Sequence, residues 1–79
     1  HAPVFEKVEE TFELCADAYF MGEVVGHVDG KGYRNTDEII LQLMDNINDT
    51  VPKNCTIQIK VKNVTKNQTK YFERMRDIK

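Results

Sequence analysis

The sequence contains no serine and no tryptophan, and beyond the N-terminal residue it has one histidine, His27. Without serine there is no serine nucleophile, and neither Cys15 nor Cys55 has a histidine at a spacing that suggests a thiol–imidazole pair. No catalytic residue is assigned, and the chain is not expected to be an enzyme. The two cysteines form no CxxC and have no histidine at ligand spacing, so neither a metal nor a cofactor is expected. No apolar run approaches the ~20 residues that a membrane-spanning helix needs. His27 itself reads as a surface or helix-end residue.

Seventy-nine residues make a single domain, 1–79, and a chain of this size buries only about 60% of its unfolded surface. A crosslink would help it. Joining Cys15 to Cys55 would stabilise the fold by roughly 4 kcal/mol in the chain-entropy view, and we expect that disulfide. It places the protein in an oxidising setting, periplasmic or secreted. The opening HAPVF, with no methionine, fits an exported mature end or a tag remnant. Sequons at Asn48, Asn54, Asn63 and Asn67 follow from a segment rich in Asn, Thr and Lys.

Net charge is −2, but the halves differ. Residues 1–52 hold eleven acids and three bases, and residues 53–79 hold eight bases and two acids. The basic half has no aromatic residues interleaved with its lysines and the acidic half repels phosphate, so nucleic acid is not an expected partner.

Phe5, Val8, Phe12, Cys15 and Tyr19 step by 3, 4, 3 and 4 and share an arc of about 80°. Glu6, Glu10, Glu13 and Asp17 lie opposite. The competing strand pattern, Phe12, Leu14, Ala16, Ala18 and Phe20, places Glu6 and Glu10 on its apolar face. This count predicts one helix over residues 3–28, roughly 40 Å long. On it, Ala18, Gly22 and Gly26 recur every four residues with Gly30. They draw a bare stripe where another helix could cross closely.

DGKGYRN signals a loop. Asn35 can cap the next helix, Glu38 completes a capping-box-like pair, and Ile39, Ile40, Leu43, Met44 and Ile47 form its apolar face up to the stop at Asp49 to Pro52. TIQIKVK reads as a strand by propensity. A helical spacing nevertheless covers the whole last segment, Ile57, Val61, Val64, Gln68, Tyr71, Met75 and Ile78, with Ile59 as its misfit. Helix is therefore predicted there, with a hairpin turning near Lys66 to Gln68 as the alternative. The fold class expected is all-α, three or four helices stapled by one disulfide.

Cys15, Tyr19, Gly22 and Gly26 in the order C-x3-Y-x2-G-x3-G, followed by Pro52, Thr56 and the YFE of Tyr71 to Glu73, resemble a known pattern. The resemblance is to small periplasmic immunity proteins of the Rap/Tai type, which protect bacteria against their own type VI secreted peptidoglycan amidases. The Cys to Tyr gap is one residue longer here, and Val51 stands where that family often has a further cysteine. The resemblance implies a helical, exported protein that blocks a peptidoglycan hydrolase, of amidase or lysozyme type, by direct complex formation. His27, Asp29, Lys31, Tyr33 and Arg34 are the expected partner-binding residues, since Tyr and Arg anchor interfaces well. A homodimer is left open. The alternative is a small secreted effector or periplasmic stress chaperone that binds partners less specifically. A third reading, a single-disulfide β-sandwich effector of the fungal type, stays open only if the first and last segments are strands.

Overall fold

The computed structural model describes residues 10–47 and 51–76. Four strands and one helix follow in the order β1 (Phe12–Phe20), β2 (Glu23–Tyr33), α1 (Thr36–Asp45), β3 (Thr56–Asn63) and β4 (Gln68–Met75). The strands form one antiparallel sheet ordered β2-β1-β3-β4. Because β2 and β3 are both antiparallel to β1, they run parallel to each other with β1 between them. Helix α1 is the crossover that joins them.

This overturns the all-α expectation. The predicted first helix is a β-hairpin over its described part, and the predicted last helix is a second hairpin, the alternative left open above. Residues 3–9, which carried Phe5, Glu6 and Val8, lie outside the described residues. The strand alternation is the pattern that folds: Leu14, Ala16 and Ala18 are buried at every second position of β1. In β3 the same period buries Ile57, Ile59 and Val61, so the misfit to the helical pattern, Ile59, is a core residue. Pairing of β1 with β3 across about forty to fifty residues decides both segments, and local spacing does not register such contacts.

The glycine stripe is also reassigned. Met21 and Gly22 both take positive φ, 51° and 80°, and form the two-residue turn between β1 and β2. That is the primed geometry whose twist matches a hairpin, and glycine adopts it without strain. Gly26 faces Ala18 across the strands, and a Cβ there would lie 3.4 Å from Leu43 Cδ1 of α1. Close approach does occur at Gly26, but of a helix onto a strand.

Two register shifts on β2 determine which way its side chains point. Between the pairs Tyr19–Val24 and Ala18–Gly26 the strand carries one extra residue, Val25. Between Leu14–Gly30 and Phe12–Tyr33 it carries another, beside Gly32 at φ 89°. Each bulge exchanges the two faces of the strand. The first sends His27 and Asp29 to the face away from the helix; the second returns Tyr33 to the core.

Helix α1 begins where expected. Asn35 Oδ1 accepts from Glu38 N at 3.2 Å, and Glu38 Oε2 accepts from Arg34 N at 3.3 Å. Its buried face is Ile39, Ile40 and Leu43, joined by Ile47, Val51 and the sheet residues above. Among the described residues no helix is long and apolar enough to cross a membrane.

The second hairpin turns at residues 64–67. Asn63 Oδ1 accepts from Lys66 N at 2.9 Å, which is the local turn chemistry asparagine favours. The turn is also tied to β1: Val64 N donates to Glu13 O at 2.8 Å, and Glu13 N donates to Thr65 Oγ1 at 2.8 Å.

The expected disulfide is absent, and both cysteines are free. Cys15 stands beside Lys62 in the ladder, whereas Cys55 precedes β3 and its carbonyl accepts from Arg76 N. Seven residues of strand separate positions 55 and 62, about 23 Å, and a bridge needs Cα atoms within about 7 Å.

Two outcomes follow. Reductant should leave the chemical-unfolding midpoint unchanged, where a stapled fold would lose stability. Leu43→Ala should cost about 3 kcal/mol in urea denaturation, while Leu41→Ala, on the exposed side of α1, should stay within about 0.5 kcal/mol.

Candidate functional site

Helix α1 packs on β1 and β2 and covers one face of the sheet. The opposite face is uncovered among the described residues. Alternation delivers to it Glu13, Cys15, Asp17 and Tyr19 from β1, His27 and Asp29 from β2, Gln58, Lys60 and Lys62 from β3, and Thr69, Tyr71 and Glu73 from β4.

The ladders arrange these residues in rows. One row reads His27, Asp17, Lys60, Tyr71; the next reads Asp29, Cys15, Lys62, Thr69; a third holds Tyr19, Gln58 and Glu73. The acids gather on β1 and β2 and the lysines on β3, so the division of charge seen along the chain becomes a division across one surface. On the lysine side lies a hollow of about 470 Å³ lined by Tyr19, Gln58, Ile59, Lys60, Tyr71, Phe72 and Glu73. Tyr71 is 74% exposed at its edge.

On the acidic side, both ring nitrogens of His27 meet carboxylates. Nδ1 lies 2.6 Å from Asp17 Oδ1, and Nε2 lies 3.0 Å from Asp29 Oδ2. Carboxylates only accept, so the doubly protonated ring is the form that satisfies both partners. These hydrogen bonds, to Asp17 first and Asp29 second, raise the His27 pKa above its ordinary 6.5. Cys15 sits alongside: its thiol, the Asp17 carboxylate and the His27 ring place ligand-type atoms within 4.8 Å of one another. Burial, and then the charges of Asp17 and Asp29, push the Cys15 pKa up, with Lys62 opposing. A thiol held protonated next to an imidazole already engaged on both sides is a poor nucleophile.

The expected partner-binding residues divide. His27 and Asp29 share the open face, and Lys31 is exposed further along β2. Tyr33 is buried at 8% exposure, lies against Gly30, and donates its hydroxyl to Gln42 Oε1 at 2.6 Å. It is a core residue and offers no exposed anchor. Arg34 is exposed in the β2–α1 connection with Glu38 Oε1 at 4.0 Å. The sequence sets Asp17 on an acidic surface with Glu9 and Glu13, but does not foresee Cys15, Tyr19, Lys60 and Tyr71 as its surface neighbours. A signal for part of this exists: Cys15-x-Asp17 and His27-x-Asp29 flank the Met21–Gly22 turn, but they come opposite each other only because Val25 adds one residue to β2.

The pH dependence follows from the raised His27 pKa. The stabilising contribution is fully present below 6.5 and is lost as pH rises through the higher folded value. Cys15, Asp17 and Asp29 face the ring from β1 and β2, and Lys60 and Lys62 stand beyond Asp17 and Cys15 on β3. With chelator present, His27→Gln should lower the thermal midpoint at mildly acidic pH and leave it unchanged in alkaline buffer. The difference should shrink with added salt, because the pair is exposed.

Comparison of the chain with protein-family models, curated proteins and solved structures finds no match in any of the three.

Proposed function

We propose that this domain is a non-catalytic binding module that engages a protein partner with the uncovered face of its sheet and acts by masking the surface it covers. One observation carries the reading. A four-stranded sheet closed on one side by a helix presents, on the other, two tyrosines beside a hollow and a graded band of charge. Tyr19 and Tyr71 are the residue type that anchors interfaces with little entropy loss, and Lys60 and Glu73 place charges of opposite sign beside them. The separation of acids from lysines favours a partner with the complementary division, which sets orientation and speeds encounter. A uniformly anionic polymer would meet the acidic half with repulsion.

In its specific form the proposal is an inhibitor of a cell-wall-degrading enzyme in the periplasm or outside the cell. The residues of the immunity-protein resemblance support it less directly than before. Cys15, Tyr19, Gly22 and Gly26 lie on a hairpin, so they no longer argue for the helical fold that the resemblance implied. What supports inhibition now is the rigid, continuous face. The β-sandwich effector gains from the strands in the first and last described segments but lacks the single disulfide expected of it.

The test is direct. Immobilised protein is exposed to periplasmic or secreted extract, and a retained hydrolase whose activity falls on binding supports the specific form. Tyr71→Ala and Tyr19→Ala should each weaken that complex by about 30-fold, a hot-spot loss near 2 kcal/mol. Tyr71→Ala should leave the unfolding midpoint unchanged because the ring is largely exposed. Retention that is indifferent to both tyrosines would remove the open face as the binding surface.

A further inference from the structure

The cluster at the centre of the acidic side has a composition that protein docking does not account for. Cys15 and Asp17 are two apart on β1, so both project from the open face, and His27 and Asp29 repeat this on β2. Cross-strand pairing sets Asp17 against His27 and Cys15 against Asp29, which closes a square of four side chains held by two strands. Its members offer one sulfur, one ring nitrogen and carboxylate oxygens. That is a mixed soft and borderline donor set, unlike the all-oxygen shells that calcium or magnesium prefer.

We propose that Cys15, Asp17 and His27 bind a divalent cation of the zinc class, with Asp29 as the positioning residue that holds the imidazole.

The geometry supports each role. The ligand-type atoms of Cys15, Asp17 and His27 lie within 4.8 Å of one another. Zinc bonds of about 2.0–2.3 Å place tetrahedral donors roughly 3.3–3.8 Å apart, a distance that small rotations of partly exposed side chains reach. Nδ1 of His27, now 2.6 Å from Asp17 Oδ1, is the nitrogen that turns to the metal. Nε2, 3.0 Å from Asp29 Oδ2, keeps its proton and donates it to that carboxylate. A carboxylate behind a ligating histidine fixes the tautomer and the ring plane, the usual outer partner of such a ligand. Water completes the fourth position from the open side.

Charge and protons balance. The cation replaces one proton on His27 Nδ1 and one on Cys15 Sγ, and both leave to solvent. A thiolate, one ligating carboxylate and a neutral imidazole then surround a doubly charged ion. Lys60 and Lys62 face the site from β3 and oppose the cation; Asp29 offsets part of that repulsion. Cys55, at the far end of β3, has no part in the site and serves as the internal control.

Cobalt(II) is the probe, added to reduced protein in a buffer free of competing chelators. One equivalent should bind and produce a thiolate-to-cobalt charge-transfer band. Cys15→Ser should abolish that band, His27→Ala should weaken binding by at least about 10-fold, and Asp29→Asn should weaken it by about 10- to 100-fold while the band persists. Cys55→Ser should change nothing, and zinc should bleach the cobalt signal and shield Cys15 alone from alkylation. Circular dichroism of each variant checks that the sheet is intact. A wild-type chain that shows no charge-transfer band, a band that survives Cys15→Ser, or affinity unchanged in folded His27→Ala overturns the proposal. None of these readouts involves a protein partner, so this site and the docking face stand or fall separately.

Discussion

The closing of helix α1 onto strand β1 is the contact on which the rest of this structure depends. β1 is paired on both sides, by β2 and by β3, and its buried residues Leu14, Ala16 and Ala18 form the floor on which Ile39, Ile40 and Leu43 rest. Two of those three floor residues are alanines. Their small side chains, with Gly26 beside Ala18, bring Leu43 close to the sheet backbone. Core burial on one face leaves the other face free of any structural duty that apolar residues would have to serve. The chain fills it with charge, hydroxyl, thiol and imidazole.

That division explains how one small domain can combine a docking surface with a compact polar cluster. The lysines of β3 separate the two regions. On their β4 side stand Tyr71 and Glu73 beside the hollow; on their β1 side stand Asp17 and Cys15, reaching toward β2. Strands hold such side chains at fixed spacing more firmly than loops do, because ladder hydrogen bonds tie each strand to at least one neighbour. The β3–β4 turn adds to this by anchoring Val64 and Thr65 to Glu13, so the start of β1 is held from a second direction.

Some of this was legible in the sequence. The α1 cap at Asn35, its apolar face and the β-branched alternation of Thr56 to Lys62 are all local signals, and each corresponds to what forms. The first hairpin was not legible, for two physical reasons. Phe12, Cys15 and Tyr19 satisfy a helical spacing by coincidence, although Cys15 and Tyr19 belong to the open face and Phe12 to the other. And β2 shows no clean period, since EVVGHVDGKGY is interrupted by two extra residues that exchange its faces partway along. A binary pattern read at constant period cannot follow a strand that changes frame. The disulfide expectation failed with it, because it relied on bringing together two positions that the ladder keeps at opposite ends of the sheet.

Val25 illustrates how much can hang on a single inserted position. Were the two-residue turn followed by uninterrupted pairing, Asp17 would stand opposite Gly26, and the imidazole would be driven beneath the helix, opposite Ala16. The bulge is thus a frame change in the pleat, worth one amino acid. Removing Val25 outright would restore regular pairing with the imidazole still opposite Asp17; retaining the residue without bulging it is what would dismantle the constellation.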